Sequence, residues 1–232
     1  MATIKENIQE VHRRLVNACT KAGRDPSAAR LLVVSKTFEA AAVREAHAAG
    51  ERAFGENYVQ EALDKIAALA DLRAGIEWHL IGPLQSNKTR VVAEAFDWVH
   101  TVDRLKIAQR LSEQRPEGLA PLQVCLQVNI SGEASKSGVA PADVPALAAQ
   151  IAALPRLRLR GLMAIPEPAQ DLDAQRLPHR QLAQLLQALR EQGLALDTLS
   201  MGMSADLEAA VLEGATLVRV GSAIFGSRPA KA

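Results

Sequence analysis

The sequence is poor in the residues that most often announce a chemistry. Its two cysteines, Cys19 and Cys125, lie far apart among 232 residues, and its five histidines are scattered. Neither set has the clustered spacing of a metal site, so both cysteines are expected to be reduced, buried, small apolar residues. Aromatics make up only 3% of the chain, with Tyr58 the single tyrosine. No charge of one sign dominates: the formal net charge is +1, which creates no field for nucleic acid or an anionic membrane. No apolar run approaches the ~18–20 residues of a membrane span. The opening stretch "MATIKENIQEVHRRL" lacks the apolar core of a signal peptide, so a cytoplasmic location is expected.

What is present is alanine, leucine and order. The hydrophobic fraction is 48% and the charged fraction 23%, ordinary for a globular chain. Residues 3–22 carry Ile4, Ile8, Val11, Leu15 and Ala18 on one helical stripe. After the break at "GRDPSA", short valine-rich runs alternate with helical patterns to the end of the chain. The runs are "RLLVVSK", "RAF", "IEWHLIG", "WVHTV", "LQVCLQVNI", "LRLRGLMAI", "LDTLSM" and "LVRVG". Asp103 and Ser204 are placed to cap the helices that follow them. Such alternation demands a parallel sheet with right-handed crossovers. Eight units predict an α/β fold: a single (β/α)8 TIM barrel over residues 1–232 with an extra N-terminal helix. A doubly wound open sheet is the rival, because alternation alone does not show closure.

The polar residues gather at the carboxyl ends of the strands, where barrels of this kind place their sites. Lys36 follows the first strand, and Glu56 and Asn57 the second. Asn129, Ser131 and Lys136 follow the fifth, Ser200, Gly202 and Ser204 the seventh, and Gly221 and Ser222 the eighth. The turns "SMGMSADLEAA" and "RVGSAIFG" both run into helical segments, and bare N–H groups there suit a phosphate. Lys36, behind Val33, Val34 and Ser35, is either a lysine reaching water or an amine made nucleophilic by desolvation. An amine beside a phosphate cradle is what pyridoxal 5′-phosphate (PLP) requires.

The blocks "VVSKT" (33–37), "FGENYVQE" (54–61), "WHLIGPLQSNK" (78–88), "VNISGEASKSG" (128–138), "GLMAIP" (161–166), "SMGMSADLEAA" (200–210) and "VRVGSAIFG" (218–226) resemble the pyridoxal phosphate homeostasis protein family, which is related to the N-terminal barrel of alanine racemase. The resemblance runs through nearly the whole chain. It implies PLP held as an aldimine on Lys36, with Asn57 against the ring. Ser200, Ser204, Gly221 and Ser222 would hold the phosphate, and Arg219 would face the pyridine nitrogen. An arginine keeps that nitrogen unprotonated, which makes the ring a poorer electron sink. The other reading of Arg219 is a salt bridge at the barrel rim.

The related racemases use a tyrosine from a partner subunit and an extra β domain. Here the tyrosine is Tyr58, and the chain ends at "SRPAKA". The expectation is a monomeric, non-catalytic keeper of the vitamin B6 pool, with apo PLP-dependent enzymes as partners and neither nucleic acid nor membrane among them. A PLP-dependent racemase or lyase is the alternative, and a cofactor-free phosphate-binding barrel enzyme a third. Lys136 is either a second acceptor for the aldehyde or a solvated loop lysine. His79 is expected inside the barrel near this rim. Gln85, Asn87 and Lys88 are expected to cap a helix, and Arg156, Arg158 and Arg160 to be surface groups.

Overall fold

The computed structural model describes residues 2–132 and 137–226, and within them the alternation closes on itself. Helix α1 (Ile4–Lys21) starts at a reciprocal cap: Thr3 Oγ1 accepts from Glu6 N (3.2 Å), and Glu6 Oε2 accepts from Thr3 N (2.7 Å). Its buried stripe is Ile8, Val11, Leu15, Ala18 and Cys19.

The strands are β1 (Arg30–Val34), β2 (Ala53–Glu56), β3 (Glu77–Leu80), β4 (Trp98–Val102), β5 (Leu122–Gln127), β6 (Leu157–Met163), β7 (Thr198–Ser200) and β8 (Leu217–Val220). The helices after α1 are α2 (Ala40–Ala48), α3 (Val59–Ala68), α4 (Thr89–Ala95), α5 (Leu105–Gln114), α6 (Val144–Ala152), α7 (Leu172–Glu191), α8 (Leu207–Leu212) and α9 (Ser222–Phe225). Every strand pairs in parallel with its neighbours, and β1 pairs with β8 through Leu31↔Val218 and Leu32↔Arg219. That last pairing excludes the open sheet.

The period of two in each strand separates two packing spaces. Leu31 and Val33 face the helices in the main apolar core, whereas Leu32 and Val34 join Ala53, Ile81 and Leu217 inside the barrel. Trp98, Cys125 and Met163 fill the other part of the interior. Cys19 and Cys125 are both buried, as expected, and burial pushes the Cys125 thiol up to about 12.

Some local expectations change. Helix α7 begins at Leu172, where Asp171 accepts from Ala174 N (2.8 Å), and it carries Pro178 inside it. Asp103 does not cap α5: its carboxylate pairs with Arg104 (2.6 Å). Ser204 does not cap α8 either, since the helix starts at Leu207 and leaves Ser204 in the preceding loop. Gln85, Asn87 and Lys88 are exposed and make no side-chain cap. His79 does lie inside the barrel, but in register with Trp98 at the start of β4, so it sits toward the amino-terminal mouth rather than the Lys36 rim.

Candidate functional site

Lys36 stands two residues past β1, half-buried. The segment is fixed from below. Ser35, fully buried, donates from its Oγ to Glu56 Oε1 (2.6 Å). Lys65, projecting from α3, donates to Ser35 O (2.7 Å), Glu56 Oε1 (2.8 Å) and Glu61 Oε1 (2.6 Å). Glu61 in turn accepts from Thr37 N (2.5 Å). Thr37 has φ of 69°, unusual for a β-branched residue. Both neighbours of Lys36 are therefore clamped by one buried ion cluster. Burial raises the Glu56 carboxyl, with the charge and hydrogen bond of Lys65 opposing it.

Around Lys36 opens a cavity of about 320 Å³ lined by Asn57, Ser204, Arg219, Gly221 and Ser222, with Val34, Phe38, Ile81, Ile165 and Met203 as its apolar walls. Asn57 Oδ1 is buried and has no hydrogen-bond partner among the described residues. The approach of this wall depends on Gly82: a Cβ there would stand 2.1 Å from Asn57 O. Gly221 is equally constrained, since its Cβ would meet Val34 O at 2.8 Å. Ser204 and Ser222 bring their hydroxyls to 3.4 Å of each other from the loops after β7 and β8. The first amides of α9 have no carbonyl to bond within their own helix. Two hydroxyls and bare amides at one wall make a cradle for a phosphoryl group.

The cradle is held by α1. Arg14 donates to Ser204 O (3.0 Å) while forking onto Glu208 (2.9 Å), and Asn7 Nδ2 donates to Ile224 O (2.8 Å). Asp206 accepts from Met203 N (2.7 Å) and meets His179 Nε2 at 2.9 Å.

Arg219 forms the cavity floor and is 3% exposed. It donates to Ser200 Oγ and to Ala164 O, both at 2.9 Å, and makes no ion pair with the described residues. The salt-bridge reading is therefore not what the structure shows. Burial lowers its guanidinium to about 10, which keeps it charged at neutral pH. Ser200 lies beneath the cavity rather than on its lining, fully buried. Its Oγ is 2.8 Å from His100 Nδ1, and His100 Nε2 is 3.0 Å from His79 Nδ1. Burial drives His100 well below its usual value, helped by His79 and Arg219, and lowers His79 too. With both imidazoles neutral, one ordering satisfies the chain: Arg219 donates to Ser200, Ser200 to His100 and His100 to His79. His79 Nε2–H is then directed at Glu77, 3.5 Å away.

Sequence reasoning thus brought six residues to one cavity: Lys36, Asn57, Ser204, Arg219, Gly221 and Ser222. Ser200 is not among the residues that line it, and Lys65, His100 and Arg14 were missed. Glu61 and Lys65 carried a signal, the i,i+4 spacing of a helical ion pair. His100 carried another, since it alternates with Trp98 on the inner face of β4. Lys136 lies outside the described residues.

A cavity built at the carboxyl mouth by loops after β1, β2, β7 and β8, with a lysine at its edge, defines a class. The family model "Alanine racemase, N-terminal domain" matches residues 1–229. A pyridoxal phosphate homeostasis protein of Pseudomonas aeruginosa is 66% identical over 98% of this chain and 97% of its own. One from Escherichia coli K12 is 54% identical over 98% of each chain. The solved structure of PipY from Synechococcus elongatus with PLP bound is 41% identical and superposes with a TM-score of 0.85, covering 97% of this chain and 100% of that one. The chain belongs to the pyridoxal phosphate homeostasis protein family.

Proposed function

We propose that this protein binds PLP in the Lys36 cavity, links it reversibly to Lys36 Nζ, and so buffers and hands on intracellular vitamin B6 without turning over a substrate. The observation that carries this reading is the single cavity joining an amine, a two-hydroxyl cradle and a buried arginine. The relatives' names and the PLP-bound PipY support it. Its volume of about 320 Å³ falls in the range of small-ligand sites.

The bound cofactor supplies an aldehyde that condenses with a primary amine and releases water. The rest falls to the chain. Lys36 offers the amine from a segment that Lys65 and Glu56 hold still. Ser204, Ser222 and the amides after Gly221 take the phosphoryl oxygens. Asn57 Oδ1, buried with no partner among the described residues, is an acceptor for a ring substituent. Arg219 presents N–H donors to a ring nitrogen and cannot accept a proton from it. Ser200 and His100 orient Arg219 and leave the phosphate to the rim serines.

Amino-acid turnover, by a racemase or lyase, needs a second acid or base over the other face of the reacting carbon. Among the described residues lining the cavity, Lys36 and Arg219 are the titratable side chains. Tyr58 is 57% exposed and does not line it. One chain provides every group invoked, which favours a working monomer, and the reading places it in the cytoplasm.

Adding PLP to the purified protein is expected to give a visible absorption band, with borohydride reduction and peptide mapping marking Lys36. Lys36→Ala is expected to lose both. A band that survives in Lys36→Ala refutes the assignment, and steady-state turnover of any L- or D-amino acid in a panel refutes the non-catalytic reading.

A further inference from the structure

The opposite mouth of the barrel holds a feature that the cofactor site does not use. A cleft of about 760 Å³ opens at the amino ends of β1–β6, lined by Arg30, Arg52, Arg73, Arg115, Arg158 and Arg160. Its carboxylates are Glu77 and Asp97. Asp197, just outside, engages Arg160 at 2.6 Å. Six guanidinium groups against three carboxylates leave an excess of three positive charges, although the whole chain carries only +1. The charge has been segregated to this mouth.

The pairing pattern sharpens the point. Glu77 is committed to Arg30 (3.1 Å), and Asp97 to Arg73 (2.9 Å) and Trp78 N (2.8 Å). Arg158 is exposed and forms no hydrogen bond or ion pair with the described residues. Arg52 uses one nitrogen for His47 O and Glu51 O, and the rest of its fork engages none of the described residues. Arg115 is 5% exposed, its hydrogen bonds to described residues go to carbonyls, those of Ala93, Phe96 and Ala120, and burial lowers its pKa. A buried guanidinium that bonds to carbonyls and feels Asp97 only through space, beside two guanidinium forks with donors to spare, is incompletely neutralised by the described residues. Arg158 and Arg160 are the residues that the sequence alone presents as plain surface groups. Arg156, the third of that run, is held by Ser112 O on α5 (2.8 Å) and is not part of the cleft.

We propose that this cleft is a second ligand site, for a compact diphosphate group. Guanidinium forks match phosphoryl oxygens two at a time. An excess of three positive charges around one open cleft suits a small anion of about three negative charges better than a singly charged one. An extended nucleic-acid strand is disfavoured: the arginines surround one hollow instead of forming a track. The aromatic at hand, Trp98, is 7% exposed and already covered by Arg160 at 4.9 Å.

The test is calorimetric titration with inorganic pyrophosphate, with orthophosphate, ADP and a short RNA in parallel, on wild type and on Arg52→Gln/Arg158→Gln. Both side chains are exposed, so the variant should fold, and an unchanged thermal midpoint and PLP absorbance check that. Pyrophosphate is expected to bind at about 1 mM or better, more tightly than orthophosphate, and at least about tenfold more weakly to the variant. Tighter binding of ADP would identify a diphosphate ester as the ligand, and pyrophosphate alone the free anion. Protein preloaded with PLP should bind equally well, which separates this site from the Lys36 cavity and keeps the outcome independent of what that cavity does. Absence of wild-type binding, an unaffected variant, competition by PLP, or RNA binding tighter than that of either diphosphate would each overturn the proposal.

Discussion

At the residue scale, the decisive group beneath the site is Lys65. It is 5% exposed, its partner Glu56 is fully buried, and the pair touches Ser35 directly and Thr37 through Glu61. Removing one partner of a buried pair leaves the other charge uncompensated. Lys65→Met is therefore expected to cost about 3–5 kcal/mol in urea unfolding and to weaken PLP binding. Adding Glu56→Gln should recover part of the stability, because the residual charge is gone. Additive losses in the double variant would refute the coupling. Ser200 illustrates the same scale differently. With His100 neutral, the single O–H of Ser200 is directed at His100 while its oxygen accepts from Arg219, so it has no donor left for a phosphoryl oxygen.

At the element scale, α1 does more than cover one side of the barrel. Asn7 and Arg14 reach the two loops that carry Ser222 and Ser204. The extra N-terminal helix therefore braces the wall where Ser204 and Ser222 meet. Arg14→Ala should raise the Kd for PLP by about three- to tenfold through loss of one charge-assisted bond to Ser204 O, read by spectral titration. An unchanged Kd with intact helicity would count against the brace. The short helices α8 and α9 have no side-chain cap, and α1 holds Glu208 in the first and Ile224 in the second.

At the scale of the whole molecule, the barrel separates two mouths of different chemistry and joins them by one polar file: Arg219, Ser200, His100, His79 and Glu77. Contact with His79, and then Arg30, holds the Glu77 carboxyl down at about 2 against an ordinary 4.5. Between those values the native state binds fewer protons than the unfolded chain. The stability from Glu77 is thus fully present above about 4.5 and lost as pH falls toward about 2. Glu77→Gln should flatten that interval of the acid-unfolding curve. A curve unchanged in slope there would refute the assignment. None of the helices among the described residues is long and apolar enough to cross a membrane.

The sequence by itself determined the alternation, the rim on which Lys36, Asn57, Ser204, Gly221 and Ser222 meet, and the family. Those features are local: strand period, turn glycines and residue order survive without knowledge of distant partners. The tertiary structure decided closure, because Leu31↔Val218 joins the two ends of the sheet. It also decided the fate of each inward polar residue. Whether Ser200 meets a ligand or an arginine, whether Arg219 meets a carboxylate, and whether Arg158 meets water or a cleft depend on stagger between strands far apart in sequence. A strand's own pattern reports which side a residue faces, but its height in the barrel and its partner across the interior come only from how eight strands are sheared against one another.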